Sequence, residues 1–126
     1  MSEWLWIEIR DAASVALVRQ EIRAQGASIG LQPSVIERLA AAASELGHNQ
    51  LRHASFGQMA VGPTRRDGLL GLEVQAVDRG PAKDQPKPAG LGVGLAAVRR
   101  LCDEVHFEQH PEKGMLISAR CFDRPA

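Results

Sequence analysis

Between residues 11 and 54 the apolar side chains recur at helical spacing with one interruption, and over residues 58–77 that period gives way to strand patterns. Such a switch demands a helical layer packed on a layer of another kind. Asp11 can cap a helix opening near Ala12, along which Val15, Leu17, Val18 and Ile22 fall at helical intervals. Gly26 and Gly30 are expected to bracket the break after it. A second helix starts at Pro33 or Ser34, because proline suits a first turn, and runs to about His53 or Ala54. Ile36, Ala40, Ala43, Gly47 and Ala54 line one of its faces.

Strand patterns flank these helices. Residues 4–10 begin apolar and then alternate, and Trp4 and Trp6 are expected to pack into the core. Residues 58–62 and 69–77 read as a hairpin around the polar turn 64–68. Residues 78–94 are a loop full of breakers, residues 93–104 a third helix, and residues 105–108 and 115–121 two closing strands around a turn at 111–114. The order predicts an α+β domain: a two-layer sandwich with helices on one face of a mixed, mostly antiparallel sheet.

A chain of 126 residues, 44% hydrophobic, is the size of one domain with a real core, so residues 1–126 are expected to form a single unit. Fifteen basic and fifteen acidic side chains cancel, which argues against nucleic acid or an anionic membrane as partner. No segment approaches the ~20 apolar residues that a membrane helix needs. The N-terminus is acidic and lacks a basic leader, and Cys102 and Cys121 lack CxxC spacing. Both cysteines are expected as buried thiols, and the protein in the cytoplasm.

Three constellations carry chemistry. Glu45, Asn49 and His53 fall at i, i+4 and i+8, so a helix places them in one polar stripe, away from Ala40, Ala43 and Gly47. A carboxylate and an amide oxygen one turn apart suit a hydrated magnesium ion, and His53 is placed to reach a phosphate; a solvated helix face is the alternative. Asp78-Arg79-Gly80-Pro81 follows an apolar strand. A carboxylate there can accept from the exocyclic amine of adenine, and Gly80 lets backbone approach the base; the alternative is a plain turn. Gly90, Gly92 and Gly94 lead into a helix, where free backbone N–H groups make a phosphate site; a lid without ligand is the alternative. The spacing is neither a dinucleotide fingerprint nor a P-loop. Cys102, His106 and His110 would make a metal face only on one continuous helix, and the strand-like alternation at 105–108 scatters them.

Taken together, Ser44-Glu45-Leu46 with Asn49, Asp78-Arg79-Gly80-Pro81, and Gly90-Leu91-Gly92-Val93-Gly94-Leu95 with Arg99-Arg100-Leu101 and Asp103-Glu104 resemble the GHKL ATPase superfamily. Within it they are most similar to RsbT-like switch and anti-sigma-factor serine kinases. The resemblance implies a Bergerat-type fold holding ATP and magnesium. It also implies transfer of the γ-phosphate to a serine or threonine of a small STAS-domain antagonist or sigma-factor regulator in a stress-response switch. Asn49 would hold magnesium and Glu45 would orient or deprotonate the substrate hydroxyl. Asp78 and Gly80 would receive adenine. Gly90, Gly92 and Gly94 would donate to the phosphates, with Arg99 or Arg100 adding positive charge.

The sequence departs from that pattern at three places. Ala82 stands where a glycine is usual, the stretch 82–89 is short and holds Pro86 and Pro88, and His53 replaces a stronger cation. These departures motivate a second expectation: a non-catalytic interaction module that sequesters a regulator, with nucleotide as a structural ligand or absent.

Overall fold

The structure, a computed structural model, describes residues 4–79, 90–110 and 114–125. Asp11 Oδ1 accepts from the Ser14 backbone N–H at 2.8 Å and starts α1 (Ala12–Ile29). The helix stops at Gly30, whose φ of 80° is the left-handed conformation of a helix end. Gly26 does not break α1, contrary to expectation. It is buried against α2, and a Cβ there would lie 2.6 Å from Ile36. Proline opens α2 (Pro33–His53), and Gly47 on this helix fits closely against Val15 of α1.

β1 (Trp6–Glu8) pairs with β2 (Phe56–Arg66), which forms a hairpin with β3 (Leu69–Arg79). The expected five-residue turn shrinks to Asp67 and Gly68, at φ 50° and 80°, so both strands are longer than their apolar runs suggested. Pro63 fits within β2 because β1 pairs only with residues 58–60, leaving that stretch an open edge. α3 (Gly90–Leu101) leads to β4 (Glu104–His110) and β5 (Gly114–Phe122). The sheet order is β1-β2-β3-β5-β4, and every described pairing is antiparallel, so the "mixed" element of the expected sheet is absent there.

Met59 and Val61, Leu72, Val74 and Ala76, and Ile117, Ala119 and Cys121 alternate along their strands and meet Val15, Val18, Ile22, Leu39, Ala43 and Leu46 of the helices in one core. The helices thus cover one face, the predicted two-layer α+β arrangement. Trp6, expected in the core, is 38% exposed. It pairs with Ala60 while Ile7 takes the inward position beside Met59. Trp4 lies over Gly62, where a Cβ would meet its ring at 2.2 Å. Both tryptophans therefore lie on the face turned away from the helices. On that face Glu73, 4% exposed, accepts from Arg120 at 2.6 Å and Gln75 at 2.7 Å.

Cys102 and Cys121 are buried free thiols, as expected. His106 lies in β4, as the alternation implied, and no group of metal-ligating side chains occurs among the described residues. No helix among them is long and apolar enough to cross a membrane.

Candidate functional site

β3 places Asp78 on the helix-facing side of the sheet, in line with Leu72, Val74 and Ala76. Its carboxyl is half-buried near the strand end, and burial raises its pKa to about 6. A carboxyl so placed gains from an N–H donor that can enter the layer between sheet and helices.

The last third of α2 packs over this strand end. Gln50 is buried, and its Nε2 donates to the Val77 carbonyl at 3.1 Å. Past the helix, the backbone N–H and Oγ of Ser55 donate to the Arg79 carbonyl at 3.2 and 3.0 Å. The carbonyls on both sides of Asp78 are thereby tied to the end of α2. From across the sheet Gly114, at φ 92°, presses on the third carbonyl: a Cβ there would come within 1.8 Å of the Asp78 oxygen. No side chain but hydrogen fits.

Asn49, the neighbour of Gln50, is 6% exposed, which excludes a solvated stripe. Its Oδ1 accepts from Arg52 Nη2 at 2.9 Å. Glu45 and His53, one turn to either side, are half-buried. An amide oxygen suits a metal ion chemically through the lone pair that Arg52 leaves free, and a partly desolvated carboxyl suits the amine edge of a purine. The helix that carries the first constellation is therefore tied to the strand end that carries the second, by Gln50 on the Val77 carbonyl and by Ser55 on the Arg79 carbonyl.

The glycine run falls inside α3, which starts at Gly90 and ends at Leu101, three residues earlier at both ends than expected. Early termination follows from Asp103, whose N–H turns to the Arg120 carbonyl at 2.9 Å to begin the β4–β5 pairing. Arg38, near the start of α2, donates to the carbonyl of Leu101 at 3.4 Å and sits 3.7 Å from Asp103. α3 packs against α2, with Leu101 held beside Arg38 and the glycines at the opposite end of the helix. Arg99 and Arg100 do not share that end. They are exposed in the last turn, about 14 Å along the axis from Gly90, where cations complement the helix dipole. Gly80, Ala82, Pro86 and Pro88 lie outside the described residues.

Sequence reasoning missed Gln50, Arg52, Gly57 and Gly114. The first two sit on the helix already singled out, and only Gly114 carried a signal, as the last residue of an expected turn.

The profile of the histidine kinase-like ATPase domain matches residues 10–120. The chain is similar to the "Serine/threonine-protein kinase RsbT" of Bacillus subtilis (strain 168), at 27% identity over 94% of this chain and 96% of that protein. It also superposes on a crystal structure of the RsbU and RsbW domains of a Mycobacterium tuberculosis protein, with a TM-score of 0.72 and 22% identity. That likeness, which speaks for the fold, covers 99% of this chain and 34% of the other, so the chain spans about a third of its length.

Proposed function

Because the chain belongs to the histidine kinase-like ATPase domain family, we propose that it is an ATP-dependent serine/threonine protein kinase. Its substrate would be a small STAS-domain regulator in a bacterial sigma-factor or stress switch in the cytoplasm. The name and full-length similarity of the RsbT relative support the kinase reading. The observation that carries it is the junction of two distant motifs: buried Asn49 and desolvated Asp78 sit one residue either side of the Gln50–Val77 hydrogen bond.

Magnesium triphosphate, when bound, supplies the phosphoryl group and neutralises its charge. Asp78, partly buried, would accept from the adenine amine, and Gly80 would admit the base. Asn49 offers its Oδ1 to magnesium. Gly90 and Gly92 would present backbone N–H groups from the first turn of α3, the positive end of its dipole, whereas the N–H of Gly94, expected as a third donor, falls one turn in and is committed to the Gly90 carbonyl of the helix. His53, in the last turn of α2, would reach a phosphate oxygen. Glu45, one turn before Asn49, orients the incoming hydroxyl and takes its proton. Phosphoryl transfer needs positioning and charge stabilisation above all, and this set supplies both. Arg99 and Arg100 are left out of the phosphate site, because the length of α3 separates them from its glycine end.

A second reading, a non-catalytic module that sequesters a regulator, is favoured by one observation: Arg52 already occupies the Asn49 oxygen. Calorimetry separates the two. Under the kinase reading the wild type binds Mg-ATP, and Glu45→Ala retains that affinity while transfer to the partner stops. Absence of Mg-ATP binding to the wild type leaves only the sequestering module. A Glu45→Ala protein that phosphorylates at the wild-type rate removes Glu45 as the base.

A further inference from the structure

Gln50 occupies an unusual position for a polar side chain. It is 5% exposed, and its amide lies between α2 and the β2–β3 pair. Nε2 donates to the Val77 carbonyl at 3.1 Å and approaches the Gln58 carbonyl at 3.5 Å, and these two residues face each other across the hairpin. Oε1 is buried and has no hydrogen-bond partner among the described residues. A buried acceptor left bare is costly, so something must hold the amide in this orientation. The two carbonyls do, since turning the amide over would set oxygen against oxygen. Gly57 makes the arrangement possible. It pairs with Asp78, and a Cβ there would lie 2.4 Å from Gln50 Oε1.

The geometry points to Gln50 as a positioning residue that holds the metal half and the base half of the nucleotide site at one fixed separation. The covalent path is short on both sides: Asn49 adjoins Gln50 on α2, and Asp78 adjoins Val77 on β3. A ligand that spans both halves gains from a fixed distance, because the order is already present before binding. A ligand that touches one half gains nothing. This inference rests on the nucleotide reading above, and it assigns to a residue outside the three motifs the coupling between two of them.

The test uses three probes on the full chain: Mg-ATP, adenosine, and magnesium tripolyphosphate, each by calorimetry, with thermal unfolding of every variant. Gln50→Met keeps the length of the side chain and removes the donor. It is expected to weaken Mg-ATP about tenfold, the scale of one such hydrogen bond, while adenosine and tripolyphosphate each stay within about twofold of wild type. Gly57→Ala displaces the same amide from the opposite side without altering its chemistry, and the same pattern is expected. A Gln50→Met protein with wild-type Mg-ATP affinity overturns the inference and leaves the nucleotide site intact. Parallel loss of all three probes together with lowered thermal stability also overturns it, since that marks general loosening. A wild type that binds neither Mg-ATP nor adenosine removes the nucleotide reading, and the inference with it.

Discussion

The Arg52 guanidinium donates to Asn49 Oδ1 at 2.9 Å, three residues back along α2. The oxygen proposed for magnesium therefore already accepts from a cation of the chain itself, and although it keeps a second lone pair, metal and guanidinium are two positive charges competing at one atom. Arg52 is exposed, which screens its hold and keeps the competition modest. Arg52→Met is expected to lower the magnesium concentration at half-saturation of ATP binding by about two- to fivefold. Asn49→Ala should abolish the magnesium dependence altogether. Titration of magnesium at fixed ATP reads both, and an unshifted midpoint in Arg52→Met would show that the guanidinium yields without cost.

Asp78 ties stability and ligand binding to pH in opposite directions. Burial raises its pKa to about 6, so the folded chain keeps a proton that the unfolded chain has already released. Between the ordinary carboxylate range and pH 6 the folded state binds more protons, and stability falls as pH rises through that window. Adenine recognition needs the ionised carboxylate and strengthens over the same window. Asp78→Asn removes the buried charge: its unfolding temperature should exceed that of wild type at pH 7, with the difference closing toward pH 4.5. Adenosine, which carries no phosphate to titrate, should bind wild type more tightly as pH rises from 5 to 7. The variant should bind it weakly and with no such trend. An equal pH profile in both proteins would remove Asp78 from the base pocket.

Asn49 and Asp78 could be singled out from the sequence as candidates because each carries its chemistry in its own side chain and sits at a readable place, a helix face and a strand end. What escaped depends on contacts across the fold. Gln50 reads as one more polar residue on α2 until Val77 is found beneath it, and Gly57 as a loop residue until the Gln50 amide fills its missing side chain. Gly26 suggested a break because periodicity does not reveal Ile36 on the facing helix. Trp4 and Trp6 suggested core because hydrophobicity alone does not choose a sheet face. Pairing with β2 chose it, by giving Ile7 the inward position. The architecture itself was readable, since the change from helical to strand periodicity at residue 55 leaves few ways to bury both layers.

Gly114 supports the base half of the site from behind. Its φ of 92° is strained for any side chain, and a Cβ would overlap the Asp78 carbonyl. Gly114→Ala must therefore shift β5 or the end of β3, with a destabilisation of about 2–4 kcal/mol by urea unfolding. Any displaced Asp78 should cost adenosine affinity at the same time. Gly68→Ala is the control: it too has positive φ, at 80°, yet it sits at the hairpin tip with no described residue within 4 Å of its missing Cβ. It should cost only about 1 kcal/mol and leave adenosine binding unchanged. Equal losses in the two variants would show that backbone conformation alone, and not the Asp78 contact, sets the penalty at Gly114.

The buried thiols report on the opposite end of α3. Cys102 donates to Cys121, and Cys121 in turn lies 3.6 Å from the Leu101 carbonyl as donor. That hydrogen bond and burial push the Cys102 thiol up, and the same bond pulls Cys121 down, so Cys102 is protected by protonation and Cys121 by its complete burial. Native protein should resist thiol-specific labelling at pH 8, and labelling should proceed through opening of the junction between α3 and β5. α3 also carries the glycines proposed to hold the phosphates, 12 residues from Gly90 to Leu101 as one helix. Opening that detaches the helix therefore destroys the nucleotide site. If so, Mg-ATP at about 100 times its dissociation constant should slow labelling by roughly a hundredfold, the full linkage factor. Labelling that ignores saturating Mg-ATP would mean that the C-terminal end of α3 opens without disturbing its glycine end, and that phosphate contacts do not anchor the helix as a unit.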